Sequence, residues 1–220
     1  MQNKICLITG ATSGIGEVAA RELAKMGAHV VILARNRDKA LKSQQEIKTY
    51  CGHDKVDIII ADLSEQAQIK NAAAEFNSRY PRLDVLINNA GLITGNDRIE
   101  TAEGHELTLA VNHLAPFLLT SLLFDKLKES PEARIINVSS IVYLMGLLNL
   151  SDIEMHRYFF GLRAYNNSKL YSILFTQELA RRLRPYPNIT ANVLHPGIIS
   201  SNFSKGSGGL TGLFFKLTEP

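Results

Sequence analysis

Residues 4–16 read KICLITGATSGIG, an apolar run ending at Thr9, then a glycine-rich turn, then the start of an amphipathic stretch. KICLIT is apolar on both faces, as a strand inside a parallel sheet must be. Gly10, Gly14 and Gly16 let the backbone turn sharply and come close to a ligand. The helix predicted to begin near Ile15 aims free N–H groups and a partial positive charge back at the turn. A strand, turn and helix of this kind suit the pyrophosphate of a dinucleotide, with Thr12 and Ser13 adding hydroxyl donors.

Further along, five more short apolar runs alternate with longer amphipathic ones. HVVILA, VDIII, DVLIN, ARIINVS and ITANVL are predicted strands. Helices are expected over roughly 14 to 26, 38 to 50, 65 to 79, 103 to 129 and 162 to 184. The alternation predicts an α/β fold: a doubly wound, Rossmann-type parallel sheet in a three-layer αβα single domain over residues 1–220. Such sheets bind ligands at the carboxyl ends of their strands, so function is expected just after each one.

The end of the second strand bears on cofactor choice. A fold selective for NAD usually carries an acid there for the ribose 2'-hydroxyl, but this chain has Arg35, Asn36 and Arg37. Asp38 comes too late and falls at the start of the next helix. A guanidinium at Arg35 suits a 2'-phosphate, so the expected cofactor is NADP(H); the alternative is that Arg35 is a plain surface residue.

Composition narrows the remaining classes. The chain of 220 residues is 45% hydrophobic and 20% charged, enough for one sizeable core. Its net charge of +3 is spread along the chain and makes no case for nucleic acid; Arg181, Arg182 and Arg184 cluster at a helix end, where they complement the dipole. Two cysteines, Cys6 and Cys51, give neither a metal-binding spacing nor a disulfide framework, so no metal is expected and the compartment is read as cytoplasmic. The apolar run at the N-terminus is too short for a signal peptide or membrane anchor. The apolar faces expected over 103 to 129 and 162 to 184 suit either core packing or pairing in a homodimer or homotetramer.

AYNNSK, residues 164–169, puts Tyr165 and Lys169 four apart, on one face of a helix. With this pair the sequence resembles the short-chain dehydrogenase/reductase superfamily over nearly its whole length. TGATSGIG is similar to its TGxxxGIG loop, Asp62 and Leu63 to its adenine-contacting position, and NNAG at 88 to 91 to its stretch after the fourth strand. YNNSK supplies its YxxxK, and HPG at 195 to 197 its segment against the nicotinamide. The resemblance implies cofactor contacts at Gly10, Thr12, Ser13, Gly14, Ile15, Gly16, Arg35, Asn36, Asp62, Leu63, Asn89, Ala90, Gly91, Tyr165, Lys169, Pro196, Gly197, Ile198 and Ser200.

It also implies four catalytic residues: Asn112, Ser140, Tyr165 and Lys169. Hydride transfer to a carbonyl carbon needs a proton delivered to the oxygen. Free tyrosine, with a pKa of about 10, is a poor base, and a nearby ammonium, helped by oxidised nicotinamide, is expected to lower it. Of Ser139 and Ser140 the second is chosen, because side chains alternate along a strand and the family's active serine is the second of such a pair. In the family the asparagine's main-chain carbonyl holds a water linked to the lysine. Here Pro116 lacks the N–H that would bond the carbonyl of Asn112; the same proline also reads as a simple helix kink.

Ser140 and Tyr165 are separated by an unusually long insert, IVYLMGLLNLSDIEMHRYFFGLRA. With NHLAPFLLT, SKLYSILFTQELARRL and HPGIISSNF, its length resembles the retinol dehydrogenase-like branch, which also contains broad carbonyl reductases. Leu144, Met145, Leu147, Leu148, Tyr158, Phe159 and Phe160 in it read either as a wall for an apolar substrate or as core. The expected partner is a small apolar carbonyl or alcohol. A non-catalytic NADP(H)-binding regulator on the same fold is the alternative, and nucleotide-sugar epimerisation is weakened by the lack of a separate substrate domain. The chain stops at FFKLTEP, where the family continues with a further helix and strand, and SSNFSKGSGG is expected to cover the substrate.

Overall fold

A computed structural model describes residues 1–197. Six parallel strands form one sheet in the order β3-β2-β1-β4-β5-β6, with β1 Ile5–Thr9, β2 His29–Ala34, β3 Val56–Ile60, β4 Val85–Asn88, β5 Ala133–Val138 and β6 Ile189–Leu194. The chain winds outward from β1 to β3, returns to β4 beside β1, and winds outward again. The reversal between β1 and β4 is the crevice where doubly wound sheets bind ligands.

The helices are α1 Gly14–Lys25, α2 Arg37–Cys51, α3 Gln66–Arg79, α4 Leu107–Leu109, α5 Ala115–Leu122, α6 Phe124–Lys128 and α7 Gly161–Arg182. One core face packs Ala20 and Ala24 of α1 and Ala40 and Ile47 of α2 on Ile8, Val30, Ile32 and Ile87. The other packs Ile69 and Phe76 of α3 and Leu119 of α5 on Leu7, Val31, Leu33, Leu86 and Ile135. Every residue of β1 is buried, which explains why KICLIT does not alternate.

Predicted and observed elements agree closely except over 103 to 129. There the expected single helix starts only at Leu107, loosens into a π-helical turn over Ala110–Leu114 and breaks again at Leu123. Glu106 caps the late start, and the π turn follows from Pro116, which removes an N–H from the ladder, so that Ala115 N–H reaches back to the Ala110 carbonyl. Ile198 and Ser200, expected to contact the cofactor, the SSNFSKGSGG stretch expected to cover the substrate, and the chain's end lie outside the described residues.

At the amino ends of the strands, Asp84 fastens three elements. Its buried carboxylate accepts from Ile5 N–H at 2.8 Å, Ser130 Oγ–H at 2.6 Å and Arg82 Nε at 3.0 Å. Removing one partner of such a buried set costs about 3 kcal/mol or more. Asp84→Ala is therefore expected to lower the melting temperature by roughly 6–12 °C; a calorimetric shift under 2 °C, by the same scaling, would contradict the account.

Candidate active site

At the carboxyl end of β1 the glycine turn is locked to β4. Asn89 Nδ2 donates to the carbonyls of Thr9 and Gly10 at 3.0 and 3.2 Å, and Thr9 Oγ1 accepts from the N–H groups of Asn89 and Ala90 at 3.0 and 2.9 Å. Gly10 has φ +69°, and a Cβ on it would stand 2.8 Å from Ala90 Cα. A Cβ on Gly16 would collide with Asn89 Nδ2 and the Gly10 carbonyl. These glycines are required by contact with the protein itself. The outer face of the turn is open: Ser13 and Gly14 are exposed, Thr12 is half-buried, and Ser13 precedes α1 without capping it through its side chain. Open N–H groups at a helix N-terminus fit a pyrophosphate.

Arg35 follows β2 with its side chain 74% exposed, 3.7 Å from the carboxylate of Asp62, which follows β3. The two predicted cofactor residues thus face each other across adjacent strand ends. Asp62 also accepts from Ser64 N–H and Oγ–H at 2.9 and 2.7 Å, which shapes the turn carrying Leu63. Asn36 caps α2, its Oδ1 accepting from Lys39 N–H at 2.9 Å, so its side chain is engaged in local structure.

Tyr165, Lys169, Ser140 and Asn112 converge beyond β4 and β5. Tyr165 and Lys169 are buried in α7, with the ammonium 5.5 Å from the phenol ring centroid. Ser140 is hydrogen-bonded to the Tyr165 side chain, whereas Ser139 Oγ donates to the Lys169 carbonyl at 2.9 Å. The alternation of β5 therefore separates the serines as expected: one meets the phenol, the other fastens α7. Lys169 Nζ donates to the Val138 carbonyl at 3.0 Å, and the backbone of Gly91 passes close beside it.

Burial dominates the electrostatics of this pair. It pushes the Tyr165 phenol up to about 12, with the Ser140 hydrogen bond acting in the lowering direction, and pushes the Lys169 ammonium down to about 8. The sequence predicts that the ammonium, helped by oxidised nicotinamide, lowers the phenol; burial of the pair acts in the other direction. In this geometry the phenol stays protonated at neutral pH, which equips it as a donor.

Asn112 sits in the π-helical turn, buried, with its side chain fully engaged. Oδ1 accepts from Leu92 N–H at 2.8 Å, and Nδ2 donates to the Leu92 carbonyl at 2.9 Å and to Ser168 Oγ at 3.0 Å. Only its main-chain carbonyl is left for other work, with Ser172 Oγ 3.5 Å away. The sequence reading missed the residues that arrange this. Ser168, Ser172 and Thr176 form a buried polar stripe at spacing four along α7, and Thr176 Oγ1 accepts from Asn137 Nδ2 at 2.8 Å. The i, i+4, i+8 spacing of small hydroxyl residues was the available signal.

Pro196 and Gly197 follow β6 directly, at the same end of the sheet. Among the insert residues, Leu144, Met145, Leu147, Leu148, Tyr158 and Phe160 are exposed and only Phe159 is half-buried, so within the described structure they do not fill core. No helix among the described residues is long and apolar enough to cross a membrane.

The sequence model described as short chain dehydrogenase matches residues 4–208. Retinol dehydrogenase 11 of Homo sapiens is 40% identical over 207 residues, covering 94% of this chain; the chain spans 64% of that relative's length. A crystal structure of a protein from Mycobacterium paratuberculosis superposes with TM-score 0.80 at 32% identity, covering 99% of this chain and 75% of that one. A short chain dehydrogenase from Escherichia coli CFT073, solved in complex with NADPH, superposes with TM-score 0.74 at 28% identity, covering 90% of this chain and 78% of that one.

The buried lysine leaves a signature in stability. Its folded pKa of about 8 lies below the ordinary 10.5, so between these values the unfolded chain holds more protons and stability rises with pH. Tyr165, raised to about 12, acts in the opposite sense from pH 10 upward. In denaturant titrations of the cofactor-free protein, the wild type is expected to gain about 2 kcal/mol on Lys169→Met between pH 7.5 and 9.5. A constant difference across that range would show that Lys169 bears no desolvation.

Proposed function

The chain belongs to the short-chain dehydrogenase family and is retinol dehydrogenase-like, and from that premise we propose that it is an NADP(H)-dependent oxidoreductase interconverting an apolar carbonyl compound and its alcohol. The observation that carries the reading is the meeting of half-buried Ser140 with the buried Tyr165 and Lys169 across the strand ends from the open glycine turn.

In this proposal the N–H groups and hydroxyls of Gly10 to Gly16 hold the pyrophosphate. Arg35 meets a 2'-phosphate and the Asp62–Leu63 turn borders the adenine. Ala90, Gly91, Pro196 and Gly197 line the nicotinamide half, and Lys169 bonds its ribose. When bound, the nicotinamide gives or takes the hydride.

The chain's own residues deal with the substrate oxygen. Tyr165, protonated at neutral pH, donates its proton to the oxygen in the reductive direction. Ser140 supplies a fixed donor as charge develops there. Lys169 keeps a positive charge beside the phenol and makes the resulting phenolate less costly. The Asn112 carbonyl, freed by Pro116 while its side chain is anchored, takes a proton-relay water toward Lys169. The exposed apolar insert suits an apolar substrate. The relative solved with NADPH supports the cofactor. Cys6 and Cys51 are free thiols, consistent with a reducing, cytoplasmic compartment as part of the same proposal.

The test is NADPH oxidation followed at 340 nm over a panel of aliphatic and aromatic aldehydes and ketones. Tyr165→Phe is expected to abolish turnover, and Ser140→Ala to cut it by about 100-fold with NADPH affinity retained. Tight NADPH binding without turnover on any carbonyl would favour the non-catalytic regulator instead.

Arg35 gives an independent check on the phosphate. Arg35→Asp is expected to raise KM for NADPH relative to NADH by about tenfold or more, the value of one charge-assisted contact. An unchanged ratio would remove Arg35 from the cofactor site.

A further inference from the structure

The segment between the 3-10 turn Ile141–Met145 and α7 is held by very little apolar contact. Leu147 is 58% exposed, Leu150 79% and Tyr158 83%, and of its large apolar side chains only Met155 is buried. A chain that leaves most of its apolar side chains in solvent has little packing to fix its course, so something else must hold it.

The fastening is polar and centres on Glu154. Its Oε1 accepts from His105 Nδ1 at 2.8 Å, and its Oε2 accepts from Glu106 N–H at 2.8 Å. Arg98 Nε donates to the Glu154 carbonyl at 3.1 Å, and its Nη2 stands 3.9 Å from Oε2. The other ring nitrogen of His105 faces the Gln66 side-chain amide at 3.3 Å, which fits a ring that carries its proton on Nδ1 and donates it to Glu154. These side chains are largely covered, 15% exposed for Arg98 and 21% for Glu154, unlike an ordinary surface pair.

What Glu154 grips leads straight to the site. Glu106 is buried, and its carboxylate caps α4 by accepting from Thr108 and Leu109 N–H at 2.8 and 2.7 Å. From that cap the chain runs in six residues to Asn112. A second fastening ties the same segment to α7: Asn167 Oδ1 accepts from Leu147 N–H at 2.8 Å, and its Nδ2 reaches Met155 Sδ at 3.7 Å. Asn167 lies between Tyr165 and Lys169. The insert is thus pinned to the two helical elements that carry the candidate catalytic residues.

We propose that Glu154, held by His105 and Arg98, is a positioning residue that fixes the exposed apolar segment against the helix bearing Asn112 and thereby sets how well an extended apolar substrate is held. This rests on the oxidoreductase reading above. Glu154 touches no reacting atom. Its loss releases the wall that a long substrate lies against and leaves the chemistry at Tyr165 in place.

Two readouts on the full chain test it. The first is limited proteolysis, which needs no turnover: Glu154→Ala is expected to speed cleavage within residues 144–160 about tenfold, and Glu154→Gln, which keeps an acceptor for Glu106 N–H, less than Glu154→Ala. The second is steady-state NADPH oxidation with propanal and decanal. Glu154→Ala is expected to raise KM for decanal about tenfold while leaving kcat for propanal within about twofold, and Glu154→Gln to recover part of the loss. Unchanged proteolysis overturns the clamp. Equal losses on both aldehydes, or no recovery with Gln, make Glu154 a general stability residue and overturn the role in substrate holding. If the wild type turns over no carbonyl at all, the oxidoreductase reading and the substrate role fall together, while faster cleavage of Glu154→Ala still registers the clamp.

Discussion

The lock between the glycine turn and β4 is the contact on which the rest of the molecule depends. Asn89 spans the switch point of the sheet and satisfies the Thr9 and Gly10 carbonyls, which would otherwise end a strand with unpaired acceptors beside a buried core. That bond requires Gly16 to sit against Asn89 without a side chain, which brings the N-terminus of α1 down onto the strand ends. The same stretch passes Gly91 against Lys169 and Leu92 against Asn112. One short run after β4 therefore sets both the dinucleotide end and the proton-transfer end, which explains why NNAG is so polar for a segment leaving a core strand.

Much of this was legible because strands buried in a parallel sheet produce short apolar runs, and these bounded all six strands to within one residue. The pair Tyr165 and Lys169 was legible from helical spacing, and the choice of Ser140 over Ser139 from strand alternation. Three things were not. Pro116 marked a freed carbonyl or a kink within the helix expected over 103 to 129, but not that the ladder would widen into a π turn, because sequence periodicity tolerates its extra residue. Asn36 and Asn89 are expected cofactor contacts, and the further work of their side chains, capping α2 and locking the turn, was not read. The partners of Glu154 lie 48 and 49 positions away along the chain, beyond any local pattern.

The balance of charge in the site also follows from topology rather than from the residue pair alone. Spacing puts an ammonium one turn from a phenol, and in water that would favour phenolate. Inside α7, packed on the π-helical turn, the 3-10 turn and the end of β5, both groups lose hydration, and each moves toward its neutral form. Which effect wins depends on whether the ammonium is paired with a charge or with a carbonyl. Lys169 has the Val138 carbonyl, which orients it without neutralising it.

A lysine held in this way costs the fold stability, because water solvates an ammonium better than one carbonyl does. Sites that keep such a group against its own solvation are where a structure departs from its stability optimum. The compensation lies along the same helix. Ser168, Ser172 and Thr176 satisfy their hydroxyls on α7 carbonyls one turn back, at 2.7, 3.0 and 2.6 Å, so the polar face turned toward Asn112 and Asn137 carries few unmet bonds of its own. With the helix satisfied internally, its contacts to neighbouring elements are free to orient rather than to rescue. Residue 169 is then held in place by a rigid 22-residue element, and its desolvation becomes a fixed property of the site instead of a force that would expel it.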